Sequence, residues 1–277
     1  IAAIAATTEK IRIGSAGIML PHYAPFKVAE QFRVLDALAP GRIDLGLGRA
    51  PGSDGLTAFA LNPQAAERPN QFPNDVMDLS AWLHGEPLQE GHTFASLKAQ
   101  PQGETAPEMW VLGSSAYGAQ VAAHFGLPYS FAWFFSDGSM GEQALKLYRD
   151  NYKPSERHPE PRSGICVWAL AAETHEEAQY HYTSRARWQL YRDRGMHLTF
   201  ESPEDATAAS YTEREEERIA QLRRESFVGT GPEVAERTRE LVTHLGVDEV
   251  AIVTWAHSEQ ARRDSYTSLA KAFELSF

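Results

Sequence analysis

Six apolar runs, each leading into a helical stretch, constrain this chain more than any other feature. They are Ile11–Leu20, Arg42–Gly48, Glu108–Gly113, Leu127–Phe134, Gly164–Ala172 and Asp248–Trp255. The runs are continuously apolar rather than alternating, as in a parallel sheet covered on both faces. Helical patterns separate them at Pro25–Ala39, Ser115–Phe125, Met140–Tyr152, Thr174–Arg194, Pro232–Leu245 and Ser258–Phe273. Thr174 with Glu177 three residues on reads as a capping box. Gly229-Thr230-Gly231 reads as a turn, with Pro232 in the first helical turn after it. Strand–helix alternation implies an α/β fold with right-handed crossovers. Six strands fit a doubly wound sheet, or strands three to eight of a (β/α)8 TIM barrel. A barrel unit takes ~30 residues, so two absent units would be roughly 60. Ile1–Glu9 reads as the last turns of a helix already begun, which favours the barrel and suggests that residues precede Ile1.

The reading is therefore one barrel domain over 1–277, with its first two β/α units apparently absent. The segment 51–107 is an excursion beside the mouth, built from the polar, Gly/Pro-rich Pro51–Gln71 and Gly85–Pro107. The highly charged segment 201–225 reads as a solvated helix or a lid. A net charge of −11 argues against nucleic acid or an anionic membrane as the main partner. No apolar run reaches the ~18 residues of a membrane span. Cys166 is the single cysteine, and no secretory signal pattern is visible, so a reducing cytoplasm is the expected setting.

Ligands of parallel α/β folds sit at the carboxyl ends of strands, and three motifs fall there. Gly46-Leu47-Gly48-Arg49-Ala50-Pro51 nearly matches a dinucleotide fingerprint. Pro51 replaces the third glycine and no helix follows directly, so a Rossmann phosphate loop is disfavoured. In the plainer reading Gly46 and Gly48 make room and Arg49 points into the mouth, as a surface ion-pair partner or as a fork for a phosphate. In Leu112–Gly118, Ser114 or Ser115 would cap the following helix. Its free N–H groups and two hydroxyls also suit a phosphate. In Ser15–Tyr23, Ala16 and Gly17 serve either tight packing or a floor for a planar ring. His22 and Tyr23 are polar candidates for catalysis in the loop beyond.

Other chemistries find little support. His175 and His181 are six residues apart, which does not match H-E-x-x-H, so both belong to a solvated helix. No Cys/His cluster, P-loop or G-x-S-x-G elbow is present, which leaves zinc, ATP and acyl transfer without residues. No lysine lies inside the six runs to serve a Schiff-base lyase. Phe131, Trp133, Phe134, Trp168 and Trp255 fall at or near strand ends, mostly as core, with some walling an apolar pocket.

The stretch R-I-G-S-A-G-I-M-L-P-H-Y-A-P-F-K through R-I-D-L-G-L-G-R-A-P-G resembles the bacterial luciferase-like flavin monooxygenases, closest to their short single-subunit branch. W-V-L-G-S-S-A-Y-G-A-Q-V-A-A-H-F-G and F-V-G-T-G-P-E-V-A-E-R-T-R-E-L-V are two further matching blocks. The resemblance implies a TIM barrel that binds FMN at its C-terminal mouth. It also implies NAD(P)H as electron source, O2 as co-substrate and a small organic molecule as the one oxygenated. Arg49 and Ser115 match positions that hold the flavin phosphate, with Gly118 nearby. Ala16 and Gly17 match the strand end packed on the isoalloxazine ring, where the family can hold a non-proline cis peptide. Gly113 and Ser114 would line the same pocket, and Gly48 stands where luciferase has a cysteine. Trp133 and Phe134 stand where close relatives often have histidines. A separate flavin reductase and a homodimer are expectations of the same kind. A reductase of the same fold and a non-catalytic flavin-binding protein are the alternatives.

Overall fold

The computed structural model describes residues 1–64, 70–135 and 138–275. They fall into two compact units, Ile1–Phe131 with Met140–Ser163, and Ala132–Ser139 with Gly164–Phe277.

In the first unit, four strands pair side by side in chain order: β1 (Ile13–Met19), β2 (Ile43–Gly48), β3 (Glu108–Gly113) and β4 (Tyr129–Phe131). All three pairings are parallel. Their carboxyl ends therefore lie along one edge, with Met19 beside Gly48, Leu47 beside Val111 and Gly113 beside Phe131. Ile43, Leu45, Leu47, Met109, Val111, Tyr129 and Phe131 are buried. Helices α1 (Ala2–Thr7), α2 (Pro25–Leu38), α3 (Gly55–Leu61), α4 (Phe72–His84), α5 (Ala116–Phe125) and α6 (Gly141–Asp150) complete the unit. Gly126 ends α5 at φ 60°, a left-handed position that glycine fills without a Cβ penalty.

The pairing of β1 with β2 slips by one residue. Ser15 lies opposite Leu45, but Ile18 lies opposite Leu47, so Ala16 and Gly17 together face Gly46. This is a β-bulge, which turns the strand locally. The Ala16–Gly17 peptide bond is cis. A Cβ on Gly17 would fall 2.7 Å from the Gly46 carbonyl oxygen, and one on Gly46 would fall 2.7 Å from Leu112 Cδ1. Close strand approach thus accounts for both glycines.

Several sequence expectations need correction in this unit. The 51–107 segment is not irregular throughout: α4 buries Phe72, Val76, Leu79 and Leu83 in its middle, and α3 begins on an Asp54 cap. Residues 65–69, part of the Pro51–Gln71 expectation, lie outside the described residues. The run Leu127–Phe134 is a strand only over β4, and Trp133–Phe135 is a 3-10 turn. Of the apolar residues of α2, Val34 and Leu38 are exposed, while Arg33 and Asp36 are buried. Arg33 Nε donates to the Pro101 carbonyl at 2.8 Å and Nη1 to that of Thr105. Asp36 accepts from Thr105 Oγ1 at 2.8 Å and from the Gly41 N–H at 3.2 Å. Buried charges are tolerated when paired and fully hydrogen-bonded, and apolar periodicity cannot register that arrangement.

In the second unit, β5 (Ser163–Ala172) pairs in parallel with two strands. Gly164 to Trp168 runs beside β7 (Glu249–Val253), and Ala169 to Ala172 beside β6 (Phe227–Thr230). Strand β6 was absent from the sequence reading. Its four residues, two of them Gly229 and Thr230, carry too little apolar pattern and lead straight into a helix. The helices are α7 (His175–Asp193), α8 (Pro203–Ala208), α9 (Glu213–Glu225), α10 (Gly231–Leu245) and α11 (Glu259–Ala272). The charged 201–225 segment forms α8 and α9, and α9 packs Ile219 and Leu222 against Trp168, Leu170 and Tyr182. At the start of α7, Thr174 accepts from the Glu177 N–H, but Glu177 reaches back to the N–H of Glu173 rather than closing the expected box. Complete capping boxes open α9, through Thr212 and Glu215, and α10, through Thr230 and Glu233.

Candidate functional site

The edge formed by the carboxyl ends of β1, β2 and β3 gathers most of the residues singled out in the sequence. Gly48 closes β2, and Arg49 follows it. Gly113 closes β3, and Ser114 and Ser115 follow it. Arg49 Cζ stands 4.1 Å from the centroid of the Tyr117 ring, and Tyr117 is the second residue of α5. Parallel pairing of β2 with β3 and this stacking together bring the guanidinium to the amino end of α5. A cation over an aromatic face is attracted by the ring quadrupole, so Tyr117 restricts where Arg49 can reach.

The amino end of α5 differs from the sequence expectation in one respect. Ser115 is the N-cap residue, with extended φ −148° and ψ 166°, but its side chain makes no capping hydrogen bond. Ser114 and Ser115 are exposed. The first N–H groups of a helix have no partner within the helix, and their dipole favours an anion there. The Ser115 carbonyl accepts from Tyr129 Oη at 3.3 Å. Burial drives the Tyr129 phenol pKa upward, so it stays protonated as that donor. Gly118 is buried, and a Cβ there would meet Tyr129 Cε2 at 3.4 Å. The small residue lets α5 sit close to β4.

Ala16 is exposed and Gly17 half-buried at the bulge of β1. A Cβ on Gly48 would lie 2.7 Å from Met19 Cε, so this glycine admits the Met19 side chain.

His22 and Tyr23 are placed differently from each other. His22 ends a 3-10 turn, Leu20–His22, and its Nε2–H donates to the Pro51 carbonyl at 2.8 Å. The carbonyl partner fixes the tautomer, and Nδ1 is buried without a hydrogen-bond partner among the described residues. His22 therefore ties the end of β1 to the loop that carries Arg49. Asn62 adds a second tie, donating from Nδ2 to the Pro21 carbonyl at 2.9 Å. Tyr23 is 47% exposed. Sequence reasoning missed Tyr117 and Tyr129, although the Y of L-G-S-S-A-Y-G lay within the quoted motif.

In the second unit, Trp133, Phe134 and Trp168 line a narrow cleft with Tyr182 and Arg185. Arg185 Cζ lies 4.4 Å from the Trp168 ring and 5.1 Å from that of Trp255. His175 and His181 sit on α7 as expected, and among the described residues no group of His, Cys, Asp or Glu could hold a metal ion. Among them also, no helix is long and apolar enough to cross a membrane.

The family described as luciferase-like monooxygenase matches residues 1–249. The uncharacterized protein YwcH of Bacillus subtilis is 40% identical over 271 residues, 98% of this chain and 81% of its own length. The N-acetyl-S-alkylcysteine monooxygenase of the same organism is 34% identical over 270 residues, 97% of this chain and 80% of its own. The crystal structure of apo-MsnO8 superposes with a TM-score of 0.86 at 30% identity, over 100% of this chain and 82% of that one. More distant solved structures of the same fold include one in complex with FMN and one with an F420 adduct. The parallel α/β fold, the matched family and these relatives agree: the chain belongs to the luciferase-like monooxygenase family, oxidoreductases that incorporate molecular oxygen.

Proposed function

We propose that the protein is an FMN-dependent monooxygenase that uses NAD(P)H-reduced flavin and O2 to oxygenate a small organic molecule. The observation that carries this is the stacking of Arg49 on Tyr117 at the uncapped start of α5. A fixed guanidinium, unsatisfied helix N–H groups and two exposed hydroxyls form a donor set suited to a phosphate monoester. In this reading Arg49 forks onto the phosphate, Ser114 and Ser115 donate their hydroxyls, and Gly113 and Gly118 keep the turn close. The bulge at Ala16 and Gly17, with Gly48 beside it, floors the ring. Bound flavin, once reduced, supplies the electron pair for O2 activation.

The remaining roles belong to the chain. His22 positions the Arg49 loop through Pro51. Its Nε2 is engaged with Pro51 and its Nδ1 is buried, which favours a positioning part for this candidate catalytic residue. Tyr23 contacts the ring or the substrate. The choice of FMN, the NAD(P)H source, a separate flavin reductase and a homodimer rest on the family resemblance. Titration of the purified protein with FMN, followed by NAD(P)H oxidation with and without O2, tests the reading. Oxygen-dependent turnover on an N-acetyl-S-alkylcysteine, the class named for a relative, supports it. Anaerobic turnover with an acceptor points to the reductase alternative, and inert bound flavin to the non-catalytic one. Absence of FMN uptake overturns it.

A further inference from the structure

The first unit contains a cavity of about 440 Å³ at the end of the strands opposite the Arg49 edge. Its walls come from the last turns of α4, residues 86–89, the amino end of β3, and residues 125, 127, 155, 157 and 158. Glu108 begins β3 and Leu127 precedes β4, whereas Gly48 and Gly113 close their strands. A volume in this range admits a one- or two-ring molecule.

The apolar part of the wall includes Val76, Met77, Leu88, Met109, Phe125 and Leu127. Thioethers and an aromatic ring favour a flat, polarizable ligand. The charged groups already have partners. Asp78 faces His92 at 3.2 Å, Glu86 pairs with Arg157, and Glu108 pairs with Arg162 at 2.5 Å and Arg12 at 3.1 Å. An added anion would have to compete with these ion pairs for the Arg157 guanidinium.

Two histidines remain, His84 and His158. His84 Nδ1–H donates to the Ser80 carbonyl at 2.7 Å, which leaves Nε2 as an acceptor. Burial pushes the His84 pKa below 6.5; the Ser80 hydrogen bond opposes this, while repulsion from Arg157, Arg33 and His158 adds to it. Burial lowers His158 as well. Both rings are neutral near pH 7, and a neutral imidazole nitrogen calls for a donor rather than an acid.

We propose that this cavity is a second small-molecule site, separate from the cofactor edge, for a neutral aromatic alcohol or phenol. Its ring lies among Met77, Met109, Phe125 and Leu127, and its hydroxyl donates to His84 Nε2.

Calorimetric titration of the full chain with 2-naphthol, 2-methoxynaphthalene and 2-naphthoate tests this. The expected result is 1:1 binding of 2-naphthol. The methoxy compound, which lacks the donor, binds about tenfold more weakly, the scale of one hydrogen bond. The naphthoate binds more weakly still. His84→Phe loses a similar factor, His84→Gln restores part of it through its amide oxygen, and Met77→Trp blocks the cavity. Arg49→Ala leaves 2-naphthol affinity unchanged, whatever it does to FMN. Equal affinity for the methoxy compound, tighter binding of the naphthoate, loss of binding in Arg49→Ala, or no binding of 2-naphthol overturns the proposal. The comparison of the three ligands on the unmodified chain decides even if a variant fails to fold.

Discussion

Arg49 Cζ stands 4.1 Å from the centroid of the Tyr117 ring, which joins the loop after β2 to the first turn of α5. Arg49→Ala is expected to weaken FMN binding by about 1.5–3 kcal/mol, the loss of a charged hydrogen bond. Tyr117→Leu keeps the charge but loses its stacking surface, and costs about 0.5–1 kcal/mol. Fluorescence titration with FMN measures both, and unchanged affinity in Arg49→Ala removes the phosphate assignment.

Arg33 and Asp36 form a buried pair, with Nη1 3.6 Å from Oδ2. Arg33→Met leaves the Asp36 charge uncompensated and is expected to destabilise by about 3–5 kcal/mol. The double change Arg33→Met with Asp36→Leu recovers part of that loss, because neither charge remains. Urea unfolding of the three variants checks both signs.

At Gly46, a Cβ would press on Leu112 Cδ1 at 2.7 Å and on the Ser15 carbonyl oxygen. The Ser15 hydroxyl also donates to the Gly46 carbonyl at 3.2 Å. Gly46→Ala is expected to cost about 1–3 kcal/mol through overpacking, seen as a lower urea midpoint. A wild-type midpoint would show that β1 and β2 can part without penalty.

Stability should also fall on the acid side of neutrality. The folded pKa values of His84 and His158 lie below 6.5, principally through burial. The unfolded chain then binds protons first as pH drops, so unfolding is favoured by acid. The stabilisation is complete above about 6.5 and is lost as pH falls through the depressed folded values. Urea midpoints on either side of 6.5 measure it, and His84→Gln should flatten the dependence.

Local residue patterns sufficed for the α/β alternation, six of the seven strands among the described residues, and the helix boundaries marked by Thr174, Gly126, Pro232 and Ser258. Those features are local: apolar periodicity, capping side chains and left-handed glycines act within a few residues of themselves. The sequence also brought Arg49, Ser114 and Ser115 to one edge, because parallel strands present all their carboxyl ends together. The rest came from the folded arrangement. It supplied the strand partner that makes Phe227–Thr230 a strand. It tied His22 to Pro51 rather than leaving it in the open mouth. It paired Arg33 and Asp36 inside α2, set Arg49 on Tyr117, and enclosed the cavity beside His84. Most of these join residues distant along the chain, and even the Arg33–Asp36 pair, three residues apart, is buried through distant Pro101 and Thr105; their energies come from burial and pairing, which no local pattern of residues encodes.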